Sequence, residues 1–456
     1  MSLLPQRRRV LMGVAFFPRG GSAHVVRGLA TALPAHGWDV TVVSGSLPGH
    51  GDARQFYAPL RVHAANVAEP ALQGSYEDRP DAPDRVFAAL DEVDYERHVA
   101  AWARVLQRAG AAEADVLHLH HLTPLHEAAA RVAPHVPVVG HLHGTELLML
   151  EQIAAGSPPS WPHAEQWAER MRGWAARCER TIVLTERQLP RVEQLLDLPA
   201  EACVAIPNGV DPRRFAHVEV DRRAHWRRHL VERPRGWRPG APEGSVAYDD
   251  ADLAAFDGGG PVLLYVGRFT EVKRVGLLIR AFARAQRDFE RRTPLVLVGG
   301  HPGEWEGEHP YDAIAASGAR DVFLAGWQEH DVLPEFLAAG DAIVLPSVRE
   351  QFGSVLVEGM ACGLPAVAVD AMGPGEIVRD GVTGWLVGPD DETGLAQALV
   401  EVVNRPAERA RRGVAAHADV VRRFSRDAAA GQVASTYAAA CSVDATLSGA
   451  PVVASG

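Results

Sequence analysis

The chain has 456 residues, 47% of them hydrophobic and 7% aromatic, with a formal net charge of −11. That length exceeds what a single hydrophobic core usually supports, so two domains are expected. The acidic balance argues against nucleic acid as the main partner, and the arginines are interspersed with acids as on a solvated surface.

Val10–Phe17 is an apolar run that predicts the first strand, followed by Pro18-Arg-Gly-Gly21 and a helix over about 22–35 with Ser22 as N-cap. The consecutive Gly20 and Gly21 let the backbone approach a ligand closely, because no Cβ stands in the way. They do not form the G-x-G-x-x-G fingerprint, so a nicotinamide cofactor is not indicated. Asp39–Ser44 predicts the second strand. Residues 46–113 hold a polar, Pro-rich piece near Glu77–Asp84 and a helix over about 95–109. Asp115–Leu119 and Pro137–Leu142 are the next strands, running into His118-Leu-His-His121 and His141-Leu-His-Gly-Thr-Glu146. His118 and His120, like His141 and His143, alternate along a strand, so each pair shares one face. No cysteine and no H-E-x-x-H accompanies them, and no metal site is expected.

Trp167, Met171, Trp174 and Cys178 make one helical stripe within Trp161–Arg180, with Arg170, Arg172, Arg177 and Arg180 off it. Packing on the sheet ahead of a strand at Thr181–Leu184 explains that pattern. A helix lying on a membrane surface has a similar one, which keeps peripheral membrane contact among the partner classes. Cys203–Ile206 is a strand before Pro207-Asn-Gly-Val-Asp211. The stretch 217–260 is rich in Arg, Pro, Gly and Asp with few periodic apolar positions, and reads as an interdomain linker plus an insertion.

Pro261–Val266 opens a second series of strands. Gly267-Arg-Phe-Thr-Glu-Val-Lys273 follows, then a helix over about 275–289. Leu295–Gly299 and Asp321–Leu324 continue the sheet. Asp341–Asp370 reads as strand, turn, helix, strand. Ala342–Leu345 and Ala366–Val369 are the strands, Val355, Leu356, Val357, Met360 and Ala361 suit a buried helix, and Gly363 stops it. A unit of this kind belongs to a parallel sheet, with ligands at the carboxyl ends of its strands. The amides of Phe352, Gly353, Ser354 and Val355 at the helix start offer an anion site. Glu350 and Glu358 frame it. Carboxylates beside a phosphate repel it unless they face hydroxyls, which a sugar on one side and a ribose on the other would supply.

The run P-S-x-x-E-x-F-G-x-x-x-x-E-x-M-A-x-G-x-P, from Pro346 to Pro365 with Glu350 and Glu358 as its acids, resembles the signature of the family-4 retaining glycosyltransferases. The resemblance implies the α/β GT-B fold, two Rossmann-like β/α/β domains facing each other across a cleft. It implies that Glu350 contacts the donor sugar hydroxyls and Glu358 the donor ribose. The amides from Phe352 through Gly353 and Ser354 to Val355 would contact the sugar and diphosphate. Gly20 and Gly21 would touch the donor phosphate and the acceptor. His143-Gly-Thr resembles the family's H-G-T, whose histidine faces the donor sugar; a neutral imidazole there can bond a sugar hydroxyl or carry a proton. His141 does not fit that position and reads as structural. Gly267-Arg-x4-Lys273 matches G-R-x-x-x-x-K, in which Arg268 and Lys273 stabilise the leaving diphosphate. Ile206-Pro-Asn-Gly-Val-Asp211 is a further hallmark. Gly326-Trp-Gln328 occupies the place where members often hold the base. Met372–Ile377 resembles a turn that closes on the donor, though its Gly and Pro residues fall in a different order. Phe424-Ser-Arg lacks the usual Trp.

The expected activity is retaining transfer of a sugar from a nucleotide-diphosphate sugar, UDP-sugars being the commonest in the family, to a hydroxyl acceptor. Domain closure would align donor and acceptor. No cofactor and no metal are expected, since the two cations take the metal's place. The acceptor would be a small molecule, a lipid or a glycan. A non-catalytic nucleotide-sugar-binding protein and a nucleotide-sugar epimerase of the same fold are the alternatives. The predicted domains are 1–215 for the acceptor, 216–260 as linker and insertion, and 261–425 for the nucleotide sugar. A helix over about 426–441 returns to the first domain, and 442–456 is a disordered tail. Cys178, Cys203, Cys362 and Cys441 show no framework spacing and read as reduced thiols. The apolar Val10–Phe17 is too short for a signal segment, and no run reaches the ~20 apolar residues of a membrane span, so a cytoplasmic protein is expected.

Overall fold

A computed structural model describes residues 7–18, 20–47, 51–66, 74–76 and 85–447. The chain divides into two compact units, Met1–Gly209 with Arg426–Gly456, and Val210–Ser425.

The first unit contains strands β1 (Arg8–Val14), β2 (Trp38–Ser46), β3 (Arg61–Asn66), β4 (Gly74–Ser75), β5 (Arg85–Val86), β6 (Val116–His120), β7 (Val138–His141), β8 (Arg180–Val183) and β9 (Cys203–Ala205). Seven of them form a parallel sheet in the order β3-β2-β1-β6-β7-β8-β9. Parallel strands covered on both faces read as continuous apolar runs, as in Val10–Val14. Alternate residues feed two cores. Leu117 and Leu119 face Trp167, Met171 and Trp174 on one side. Val10, Met12 and Val116 face the other, where Ala430, Val433 and Tyr437 of the helix Arg426–Leu447 complete the layer. The Trp167 stripe is therefore core, and no membrane face remains on it. No described helix is long and apolar enough to cross a membrane.

The second unit carries β10 (Leu263–Val266), β11 (Leu295–Val298), β12 (Val322–Gly326), β13 (Ala342–Leu345), β14 (Ala366–Val369) and β15 (Gly384–Val387). They form a parallel sheet in the order β12-β11-β10-β13-β14-β15. The chain winds outward from β10 in one direction and from β13 in the other. The carboxyl ends of these two neighbours flank the switch point, where open parallel sheets leave room for a ligand.

Several expectations need correction. Residues 216–260 are not a linker but part of the second unit. Trp226, Leu230 and Trp237 are buried. Trp226 stacks on Phe256 with centroids 5.3 Å apart, Trp237 Nε1 donates to the Gly300 carbonyl at 3.2 Å, and Arg222 forks onto Asp341 at 2.8 and 3.0 Å. A few isolated tryptophans anchor this stretch without any repeat that periodicity would reveal. The first helix spans Gly20–Ala32, so Ser22 sits inside its first turn and is not the N-cap. Arg180 begins β8 rather than ending a helix, because the helix stops at Ala176. The last helix continues through Leu447, which removes 442–447 from the predicted tail. The rest of that tail and the piece Glu77–Asp84 lie outside the described residues.

Candidate functional site

In the second unit, the loop after β10 carries Arg268 and Lys273, and the loop after β13 carries Glu350 and Gly353. Neighbouring strands bring the two together. The Val348 amide donates to the Val272 carbonyl at 3.1 Å, and Ser347 Oγ donates to the same oxygen at 3.2 Å. Lys273 Nζ forms an ion pair with Glu350 Oε2, with both side chains less than a fifth exposed. The exposed Arg268 is held at its backbone, where the buried Tyr265 hydroxyl donates to its carbonyl at 2.6 Å. Burial first, then the Glu350 charge, pushes the Tyr265 phenol above its ordinary range, against the Arg268 charge.

The helix Ser354–Ala361 starts at Gly353, whose φ of 99° is left-handed, and no side chain caps it. Its first amides, with the positive end of the helix dipole, therefore point from the sheet's carboxyl edge beside the Lys273–Glu350 pair. Phe352 is buried beneath this turn. The turn Met372–Ile377 braces it. The Gly373 amide donates to the Glu350 carbonyl at 3.2 Å, and a Cβ on Gly373 would lie 2.3 Å from the Phe352 carbonyl oxygen. Gly373 is thus a site residue that the altered Gly/Pro order concealed.

Glu358 lies one turn along the helix and meets a partner that sequence reading missed. His330 Nε2 is 2.8 Å from Glu358 Oε1. His330 in turn meets Arg214, whose Nη2 is 3.1 Å from His330 Nδ1, 2.8 Å from the His330 carbonyl and 2.7 Å from Asp331 Oδ1. Nothing local in the sequence links positions this far apart.

In the first unit, Gly20 and Gly21 open their helix at an exposed position where an added Cβ would meet nothing within 4 Å. His143 follows β7, half-buried, with its amide donating to Glu146 Oε2 at 3.2 Å. Register sets His120 opposite His141 and His118 opposite Val139. All four rings therefore collect on one side: His118 Nε2 is 3.2 Å from His141 Nδ1, and His120 Nδ1 is 2.9 Å from His143 Nε2. Tyr437 meets His118 Nδ1 at 2.6 Å. Glu146, fully buried, pairs with His121 at 2.6 Å.

One nitrogen each from His118, His120 and His141 falls within 4.8 Å of the others, a spacing that three imidazole ligands could adopt. The group contains no carboxylate, so a divalent cation there would carry its charge into a buried site unbalanced.

Burial lowers the His118 pKa to about 3, and does the same to His126 on the helix Pro124–Val132. Burial likewise holds His120, His141 and His143 well below the ordinary range. These rings are neutral in the folded protein, while the unfolded chain protonates them below about 6.5. Falling pH therefore favours unfolding: stability is intact above about 6.5 and is lost toward about 3. Each such ring should contribute a slope of about 1.4 kcal/mol per pH unit within that window. His126→Leu should reduce the measured slope by one proton's worth in denaturant melts between those limits, and an unchanged slope would contradict the neutral assignment.

Comparison with known proteins follows the same division. A profile of the glycosyl transferases group 1 matches residues 251–419, and a profile of glycosyltransferase family 4 matches residues 19–214. The D-inositol 3-phosphate glycosyltransferase of Saccharomonospora viridis is 31% identical over 321 residues, 68% of this chain and 67% of the relative. The glycogen synthase of Mycobacterium tuberculosis is 27% identical over 442 residues, 92% of this chain and 91% of the relative. The solved structure of Anabaena HepE in complex with UDP-glucose superposes with a TM-score of 0.63 at 21% identity, over 94% of this chain and 99% of that one.

Proposed function

Because this chain belongs to the family-4, group 1 glycosyltransferases with the GT-B fold, we propose that it is a retaining enzyme that moves a sugar from a nucleotide-diphosphate sugar to a hydroxyl acceptor. The observation that carries this reading is the Lys273–Glu350 pair beside the uncapped start of the helix Ser354–Ala361. It sets a cation and amide donors next to a carboxylate. That combination suits a ligand with an anionic diphosphate on one side and neutral hydroxyls on the other. HepE, which shares the fold, binds UDP-glucose, and a UDP-sugar is our first candidate for the donor here.

In this reading the diphosphate lies against the amides of Gly353, Ser354 and Val355, with Arg268 and Lys273 contacting its oxygens. Glu350 accepts hydrogen bonds from sugar hydroxyls and shares Lys273 with the phosphate. Cleavage of the anomeric C–O bond leaves its electron pair on the diphosphate, and the two cations and the helix terminus stabilise that charge. The acceptor oxygen forms the new bond on the same face, and its proton passes to the departing phosphate oxygen. No covalent protein nucleophile is required. Within the first unit, His143 remains neutral, which suits its imidazole to bond a hydroxyl, and Gly20 and Gly21 leave their helix start open to a ligand. The reaction proceeds without a divalent metal, because Arg268 and Lys273 supply the positive charge.

The test is incubation with α-linked UDP-, GDP- and ADP-sugars and a panel of inositol phosphate, sugar and lipid acceptors in EDTA, followed by proton NMR of the anomeric centre. An α-linked product is expected. A β-linked product would contradict retention, and loss of activity in EDTA would contradict metal independence. Free sugar and nucleotide without a glycoside would favour the epimerase reading, and no turnover with any donor would favour a non-catalytic protein.

A further inference from the structure

The Ile206-Pro-Asn-Gly-Val-Asp211 run leads into Arg214 and Phe215, which have no part in the reading above. They pack on the loop that holds His330. The His330 ring lies 5.4 Å from the Phe215 ring, centroid to centroid, and Arg214 sits over the same ring at 5.5 Å. Arg214 is tied to that loop by its contacts with the His330 carbonyl and Asp331 Oδ1.

The chemistry of these contacts fixes the protons. A guanidinium is always charged and can only donate. Arg214 Nη2 makes its two shorter bonds to the His330 carbonyl and Asp331 Oδ1, and at 3.1 Å from the same nitrogen His330 Nδ1 is matched by a lone pair, since an N–H there would oppose another donor. The ring proton is then on Nε2, aimed at Glu358 Oε1 at 2.8 Å. That carboxylate is 14% exposed and lies within a regular helix. A charge-assisted bond of this kind fixes the carboxylate plane and leaves Oε2 without a side-chain partner among the described residues.

We propose that Arg214 and His330 are positioning residues that orient Glu358 for hydrogen bonding to the donor ribose, so that they set the preference for ribose over deoxyribose. This rests on the reading of Glu358 as the ribose contact. Arg214 selects the His330 tautomer, His330 clamps one carboxylate oxygen, and the other oxygen receives the ribose hydroxyl.

The experiment is calorimetric titration of the full chain with whichever of UDP, GDP and ADP binds most tightly, and with its 2′-deoxy and 3′-deoxy forms. Wild type should favour the ribonucleotide over one deoxy form by about tenfold to a hundredfold, the range for a hydrogen bond to a charged group. His330→Ala should bring that ratio close to one while changing the affinity for the deoxy form little. His330→Gln, whose amide can donate to Glu358, should recover most of the ratio and shows that the site still folds. Arg214→Ala should lower the ratio less than His330→Ala.

If Glu358→Ala abolishes the preference but His330→Ala keeps it, the relay is wrong and the ribose reading stands. If wild type shows no preference between the ribo and deoxy forms, the ribose role of Glu358 fails and the relay falls with it. Binding of none of the three nucleotides would overturn both.

Discussion

Lys273→Ala is expected to lower kcat by about 10²–10³-fold, the range seen when one donor to a developing oxyanion is removed. Two effects act in the same direction. The ammonium that would meet the leaving diphosphate is gone, and Glu350, only 18% exposed at its side chain, loses its ion partner. An unpaired carboxylate at that place would repel the phosphate it adjoins. Lys273→Arg keeps the charge but replaces a compact ammonium with a planar fork, so partial activity is expected. The double variant Lys273→Ala, Glu350→Gln separates the effects. If charge repulsion by Glu350 is the larger part, the double variant should bind donor better than Lys273→Ala while remaining slow in turnover. Wild-type kcat in Lys273→Ala would remove this residue from the chemistry.

Gly373→Ala is the second large effect. The new Cβ would meet the Phe352 carbonyl oxygen, Cα and carbonyl carbon at 2.3, 2.5 and 2.6 Å. These are backbone atoms and cannot swing aside as a side-chain tip can. Either the turn at Met372–Ile377 moves or the Glu350–Gly353 segment does, and the latter sets both the carboxylate and the helix start. Displacement of about 1 Å in such a site can cost about 10²-fold, so kcat/KM for the donor should fall by about that much. The overpacking itself should cost about 1–3 kcal/mol of stability. A folded variant with unaltered donor kinetics would show that the turn adapts without disturbing the site.

The legible part of this protein is local. Asp341–Asp370 announces its strand–turn–helix–strand order through two short apolar runs and a glycine at each end of the helix, and the structure places strands at Ala342–Leu345 and Ala366–Val369. Glu350 and Glu358 stand out because their spacing belongs to a single turn-and-helix unit. The hidden part is made of contacts between distant segments. Nothing near Glu358 indicates that His330 would hold it, or that Arg214 would hold His330, since the pairing follows from how the second unit folds. Lys273 and Glu350 each stand out in the sequence, but their ion pair depends on β10 lying beside β13, which only the sheet order reveals. Residues 216–260 are illegible for a different reason: Trp226 and Trp237 supply burial from isolated positions, and burial of that kind has no period. In the first unit the strand alternation placed His118 with His120 and His141 with His143. The register that brings both pairs into one stack was beyond it.

The most direct measurement of the central claim is thermal unfolding of the full chain with UDP, GDP, ADP and dTDP and their sugars, each with and without EDTA. A ligand that binds the folded state raises the melting temperature by mass action. One nucleotide should give a clear upward shift that EDTA leaves unchanged and Lys273→Ala abolishes. The absence of a shift with every nucleotide, or a shift that EDTA removes, would contradict a metal-free diphosphate site built on Lys273 and the helix start at Gly353.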